Sequence, residues 1–213
     1  GLDIGGESGG LLPNREWKKR VRNEPWFPGE TLITGIGQGF FLTTPMQLSR
    51  ATATLAMRGK YMRPLVVREI EEPGSHLRKI VNPSLVTQLP VHSDSNWWRI
   101  TRAMSQVIHG PHGTARGISH KLAYKMAGKT GTSQVFTIAQ DEEYDADEIS
   151  KRLRDHALFI AFAPVKEPKI AVALIVENGG SGGATAAPIA RQLIDQYLLG
   201  TNSLKGQTKN AAQ

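Results

Sequence analysis

The sequence predicts an α+β fold, an α/β sandwich in which an antiparallel sheet is flanked by helices. Three features predict it. Residues 157–180, "ALFIAFAPVKEPKIAVALIVENGG", hold two apolar runs around a Pro-Val-Lys-Glu-Pro turn. Runs this short and continuous read as antiparallel strands buried on both faces. A capped helical pattern follows them and two precede them, and a doubly buried sheet needs a layer on each side.

The elements follow in order. The first forty residues are rich in Gly, Pro and charge ("GGESGGLLPNREWKKRVRNEPWFPGE") and read as loop. Arg15, Lys18, Lys19, Arg20 and Arg22 form a basic run there, interleaved with Trp17, Trp26 and Phe27. Aromatics among basic residues can stack on single-stranded nucleic acid. With no nucleic-acid module around them, they read instead as pins holding a loop to the domain. "TTPMQLSRATATLAMRGK" is a helix: Thr44 is its N-cap, Pro45 its first residue, and Gln47 completes a capping box. Leu48, Ala51 and Leu55 share its apolar face and Gly59 is its left-handed stop. Residues 61 to 81 read as short strands around a Glu-Pro-Gly turn at 72 to 74.

"SDSNWWRITRAMSQVIHGPHG" is a second helix, capped by Ser93 or Asp94 and ended by Gly110-Pro111. Its predicted apolar face is Trp97, Ile100, Met104 and Ile108. A strand carries "AGKTGTSQVF". The polar stretch "AQDEEYDADEIS" then reads as a surface insertion before the hairpin. "APIARQLIDQYLLG" is a closing helix with Ile189, Leu193 and Tyr197 as its stripe and Gly200 as its stop. Residues 201–213 read as a disordered tail.

Composition narrows the function classes. The 213 residues are 39% hydrophobic and 21% charged, ordinary for a globular domain with a sizeable core. There is no cysteine, so disulfides and thiolate metal sites are excluded. The formal charge of +7 favours anionic partners. No apolar run reaches the length of a transmembrane helix, and the N-terminus lacks a signal-peptide pattern. The chain opens at Gly1 in loop composition, which predicts a piece of a longer protein.

The chemistry centres on Lys129-Thr130-Gly131-Thr132. A phosphate loop would need glycine at position 123, which is Ala123, and a helix after the lysine, where β-rich "TSQVFTI" stands. "GIGQG" is no dinucleotide fingerprint, because its third glycine would fall on Phe40. His109 and His112 have no carboxylate or cysteine to complete a metal set, and all six histidines read as structural or surface residues. On a strand, Thr130 and Thr132 share one face while Lys129 and Gly131 share the other. Two hydroxyls two residues apart suit one carboxylate. The lysine adds attraction and can lower a neighbouring hydroxyl's pKa. Gly131 permits close approach by another backbone or a reacting group. The Thr132 amide on an edge strand can donate to a developing oxyanion.

Lys-Thr-Gly followed by a hairpin and a C-terminal helix resembles the third signature of the penicillin-binding proteins and serine β-lactamases. "GIGQGFFLTTPMQLSRATATLAMRGK" resembles the Gly-Gln-Gly and Thr-Pro-x-Gln segment of the transpeptidase domains. "GPHGTARGI" is similar to the Gly-Thr-Ala turn before their motif strand. "LPNREWKKR", "KTGTSQVF" and "RLRDHALFIAFAP" are similar to the class B penicillin-binding proteins of rod-shape elongation in Gram-negative bacteria. The likeness runs from Gly1 to about residue 200.

The resemblance implies D,D-transpeptidation. A serine attacks the penultimate D-Ala carbonyl of a peptidoglycan stem peptide, and an amine of a neighbouring peptide resolves the acyl-enzyme. β-Lactams trap the same serine. Carried over, Lys129, Gly131 and Thr132 are catalytic, with the Thr132 amide as half of the oxyanion hole, and Lys129, Thr130 and Thr132 bind the substrate or drug carboxylate. No cofactor or metal is implied, and no nucleic acid. A RodA-type glycosyltransferase and the elongation complex are the implied partners of the full-length protein, anchored in the inner membrane with its catalytic domain in the periplasm.

The sequence departs from the family pattern in one respect. No serine here has lysine three residues on, and none has asparagine two residues on; Ser75 with Arg78 is the nearest miss. The expectation is therefore that residues 1–200 are the C-terminal portion of a transpeptidase domain, incomplete in this chain. It cannot acylate by itself, and it leaves apolar surface exposed. An inactive or sensor-type module that binds β-lactam or peptidoglycan without turnover is the alternative, and a β-lactamase or carboxypeptidase is a close variant of the enzyme.

Overall fold

A computed structural model of the chain describes residues 2–134 and 150–200. The first forty residues are more ordered than their composition suggests. They hold helices α1 (Arg15–Arg22) and α2 (Pro28–Gly35). Short helices form here because their ends are satisfied. Asn14 Oδ1 accepts the Trp17 N–H at 2.8 Å, and the Glu30 carboxylate accepts the Phe27 N–H at 2.8 Å beside Pro28 at the start of α2.

The basic run is not uniformly exposed. Lys18 is only 2% exposed, 2.6 Å from Glu30 and 4.3 Å from the Phe27 ring centre. The Lys18 ammonium, and then the Phe27 amide, hold the Glu30 carboxyl below its usual pKa. Trp17 packs on Phe40 with centroids 5.2 Å apart, and Trp26 Nε1 donates to Thr31 Oγ1. These aromatics tie the segment to itself, where the sequence reading expects them to pin it to the rest of the domain.

Helix α3 (Pro45–Ala56) carries the predicted capping box in full. Thr44 Oγ1 accepts the Gln47 N–H at 3.1 Å, and Gln47 Oε1 accepts the Thr44 N–H at 2.9 Å. Gly59 takes a φ of +88° as its stop. The predicted face is only partly right. Ala51 is exposed, whereas Thr52 and Thr54 are buried, their hydroxyls donating to the carbonyls of Leu48 and Arg50. A threonine that satisfies its hydroxyl one turn back can bury its methyl.

Strands β1 (Lys60–Met62), β2 (Glu69–Glu71), β3 (Arg78–Ile80) and β4 (Leu85–Gln88) follow. β2 and β3 form a hairpin around the predicted Pro-Gly turn, and β4 returns antiparallel to β1. Helix α4 (Ser95–His109) starts at Asp94 and ends at Gly110. Met104 and Ile108 of its predicted face are buried, and Ile100 is exposed.

The central sheet has the order β5 (Ala127–Ser133), β6 (His156–Ala163), β7 (Ile170–Val176), antiparallel throughout. Alternation along β6 divides its side chains between two layers. Ala157, Phe159, Ala161 and Ala163 pack with Ala186, Ala187, Ala190 and Ile194 at helix α5 (Ala187–Leu199). Phe162 and Ile160 pack on the opposite side with Leu55 and Ala56 of α3. Helix α4 contributes to both layers, through Ile108 on the α5 side and Met104 on the α3 side.

The predicted stripe of α5 is the wrong face. Ile189, Leu193 and Tyr197 are exposed, and the buried side is Ala187, Ala190 and Ile194. Side-chain bulk misled the pattern, because a helix lying close to a sheet buries its small residues. Asp195 is buried on the same helix. Its oxygens accept from Tyr124 Oη and Arg191 Nε, each at 2.6 Å, and Arg191 also donates to the carbonyls of Ile118 and His120. Burial, then the Asp195 bond, keep the Tyr124 phenol protonated well beyond its usual range. This network fastens the loop after α4 to the closing helix. The expected insertion falls at residues 139–150 and the tail at 201–213; apart from Ser150 both lie outside the described residues.

His109 Nε2 accepts the Met126 N–H at 3.2 Å, just before β5, which requires a neutral ring. Burial, and then the charge of Lys125, hold its pKa below the usual 6.5. The unfolded chain therefore takes up a proton that the folded chain resists. Stability conferred by neutral His109 is full above pH 6.5 and is lost as the pH falls from there through the lower folded value. Thermal melts between about pH 7.5 and 5 should show a smaller loss of Tm for His109→Gln than for the unaltered chain. Equal losses in the two would show that this ring does not set the slope.

Candidate active site

The Lys-Thr-Gly-Thr segment lies on β5, whose register with β6 sets the direction of each side chain. Lys129 pairs with Ile160 and Gly131 with Leu158, on the α3 side. Thr130 pairs with Phe159 and Thr132 with Ala157, on the α5 side. The two threonines therefore share a face, as alternation predicts, and Lys129 and Gly131 share the other.

Among the described residues β5 has a strand on one side only. Its other edge is marked by two side-chain bonds. Gln38 Nε2 donates to the Thr132 carbonyl at 2.9 Å, and Lys129 Nζ donates to the Thr130 carbonyl at 2.7 Å. Both carbonyls thus point away from β6. In an extended strand the amide and carbonyl of one residue leave on the same side, so the Thr130 and Thr132 N–H groups face this edge too. The Thr132 amide thus points out from the edge that carries no neighbouring strand among the described residues. Gln38 reaches the edge from a turn with Gly37 at φ +76° and Gly39 at φ +75°, a conformation that favours glycine.

The other wall is a single π-helical turn, Gly182–Ala186, between β7 and α5. Such turns often mark functional sites. It packs against β5 without side chains. A Cβ on Gly182 would fall 2.6 Å from the Gly131 carbonyl oxygen and against that of Leu158. The glycine this approach requires is Gly182; a Cβ on Gly131 itself would point to the other face and meet only the Leu158 Cβ, at 3.2 Å, so the backbone contact expected at Gly131 depends on its neighbour instead. The next residue, Gly183, faces the Thr114 carbonyl and the Thr130 methyl. Thr114 Oγ1 lies 3.0 Å from Thr130 Oγ1.

Lys129 and Thr132 are exposed and Thr130 is half-buried, so the segment is open to a ligand. A cavity of about 270 Å³ adjoins the edge, lined by Ile36, Gln38, Leu48, Gly131, Thr132 and Leu158. Among the described residues no three His, Asp or Glu converge as metal ligands, and no helix is long and apolar enough to cross a membrane. The arrangement suits recognition of an anionic group between hydroxyls and a cation, beside an amide that can stabilise a developing oxyanion.

Two residues of this site are not identified by the sequence reading, Gln38 and Thr114. The Gly-Gln-Gly and Gly-Thr-Ala segments are visible as segments. Their contacts with β5 span 94 and 16 residues and leave no periodic trace.

Residues 1–195 match the family model of the penicillin-binding protein transpeptidase domain. The chain is 41% identical over 198 residues to the peptidoglycan D,D-transpeptidase MrdA of Salmonella typhimurium, covering 93% of this chain and 32% of that protein. Among solved structures it is similar to Pseudomonas aeruginosa PBP2 in complex with WCK 5153, with a TM-score of 0.77, 42% identity, and coverage of 93% of this chain and 40% of that one. The ceftriaxone acyl-enzyme of Mycobacterium tuberculosis penicillin-binding protein A matches with a TM-score of 0.61 and 30% identity, over 78% of this chain and 35% of that one. The chain spans about a third of the length of the curated relatives it matches.

The close approach at the π turn is open to test. Gly182→Ala places a methyl group between two backbone oxygens and should destabilise the protein by about 1–3 kcal/mol. Urea denaturation measures this, and an unchanged midpoint would show that the turn stands off the strand.

Proposed function

Because this chain belongs to the penicillin-binding protein transpeptidase family, we propose that it supplies one wall of a peptidoglycan D,D-transpeptidase site, a target of β-lactams. The observation that carries this reading is the edge of β5. It sets the Thr130 and Thr132 hydroxyls on one face, a lysine on the other, and an outward amide at Thr132. The terminal carboxylate of a D-Ala-D-Ala peptide, or that of a β-lactam, binds the two hydroxyls and the Lys129 charge. The Thr132 amide donates to the carbonyl oxygen as it becomes an oxyanion. The bare Cα of Gly182 lets the π turn close on the strand behind them.

The nucleophile is a serine that these 213 residues do not contain in Ser-x-x-Lys form. In this reading residues 1–200 act as the C-terminal portion of the domain, and a further segment brings the serine to the open edge. The serine attacks the penultimate carbonyl, the terminal D-Ala leaves with the proton that the attack releases, and an amine from a second stem peptide then displaces the serine. The stem peptide lies in the wall, so the catalytic face works in the periplasm. Its protein works at the inner membrane beside a RodA-type glycosyltransferase that makes the strands to be joined.

Fluorescent penicillin tests this division of labour. The 213-residue chain alone should take no covalent label. The protein that joins it to a Ser-x-x-Lys segment should be labelled on that serine, about a hundredfold more slowly after Lys129→Ala. A labelled serine within these 213 residues would sink the reading.

A further inference from the structure

We propose that Thr114 is a positioning residue for carboxylate recognition, fixing the hydroxyl of Thr130 so that its proton is directed at the ligand. This rests on the reading of Thr130 and Thr132 as the carboxylate-binding pair. Threonine is β-branched, so placing its methyl places its hydroxyl. The Thr130 methyl lies against Gly183, at 3.6 Å from where a Cβ on that glycine would stand. The hydroxyl is thereby turned to Thr114, Oγ1 to Oγ1 at 3.0 Å.

A hydroxyl has one proton to donate and two lone pairs to accept with. A pair of hydroxyls in contact spends one proton between them and keeps one. If Thr130 donates to Thr114, nothing remains at Thr130 for an anion. If Thr114 donates to Thr130, the Thr130 proton is free. A carboxylate beside Thr130 selects the second arrangement, and each bond in the chain Thr114 to Thr130 to carboxylate polarises the next.

Thr114 is held for this role by backbone contacts. The Ala115 N–H donates to the Val107 carbonyl at 2.9 Å, and the Gly113 N–H donates to the Gly110 carbonyl at 3.2 Å, which seats the turn on the end of α4. The bare Cα of Gly183 lies against the Thr114 carbonyl. Further along the same loop, Arg191 clasps the carbonyls of Ile118 and His120 from α5. Thr114 itself remains exposed, on the side that a ligand enters.

The test pairs a hydroxyl on the protein with a carboxylate on the ligand. In the protein that joins this chain to its Ser-x-x-Lys segment, acylation rates are measured with benzylpenicillin and with its methyl ester. Thr114→Val should slow the acid about tenfold, the size of one charge-assisted hydrogen bond, and the ester less than about twofold. Thr114→Ser should restore the acid rate, which separates the hydroxyl from any packing role. Thr130→Val serves as the reference. If it distinguishes acid from ester and Thr114→Val does not, this inference falls alone. If neither distinguishes them, the carboxylate reading falls with it. Equal slowing of acid and ester by Thr114→Val, or no rescue by serine, assigns Thr114 to the turn only and overturns the proposal.

Discussion

The site depends on how closely one stretch of backbone, Gly182 to Ala190, lies against strands β5 and β6. Side chains would hold it off. The sheet face beneath it presents Ala157, Ala161 and Ala163 around one large residue, Phe159. The stretch itself presents Gly182, Gly183, Ala186, Ala187 and Ala190. Small residues on both surfaces bring the backbones together, and dispersion over many atom pairs replaces the bulk that is missing. The helix then continues to Ile194, which seals the far end of the same core.

That closeness explains features that look separate in the sequence. Gly131 sits within the functional motif, yet the contact that excludes a side chain nearby is structural, with Gly182 beside its carbonyl and amide. Gly183 touches both threonines of the pair above it. A turn of π-helical geometry fits in the space where a wider, side-chain-bearing loop would not. The face of β5 that carries Thr130 and Thr132 is thus shaped from behind by a segment more than fifty residues away along the chain, roughly the separation of Gly131 from Gly182.

The legible parts of the fold are those governed by local chemistry. The capping box at Thr44 and Gln47, the glycine stops at Gly59 and Gly200, the Pro-Gly hairpin and the β6–β7 pair follow from neighbouring residues, and they form as their sequences dictate. The alternation of Thr130 and Thr132 belongs with them. The elements misread are those decided by distant partners. Helices α1 and α2 hide in loop-like composition, and the partners Glu30 and Phe27 of Lys18 lie beyond the end of its own helix. Ile189, Leu193 and Tyr197 have the spacing of a buried stripe, but the sheet accepts only the alanine side of α5. Gln38 and Thr114 reach β5 through tertiary contact alone.

Lys129 shows how such an edge can stand ready without its ligand. Its ammonium donates to the Thr130 carbonyl, one residue along the same strand. That bond spends one of three donors, and two remain, which the proposed reading assigns to a serine oxygen or a carboxylate. It forms at the exposed rim of the strand, where water competes, so its net worth is only about 1 kcal/mol. A lysine free in solvent would lose more side-chain entropy on being fixed against a substrate, up to about 2 kcal/mol. Held at its own strand edge, Lys129 has already lost part of that freedom. The same carbonyl fixes the peptide plane between Thr130 and Gly131, so the cation, the hydroxyl of Thr130 and the backbone leading to the Thr132 amide are ordered by one local contact. Under the proposed reading an anionic ligand meets a preorganised array, and the cost of exchanging one weak bond is small beside the charge-assisted bonds it gains.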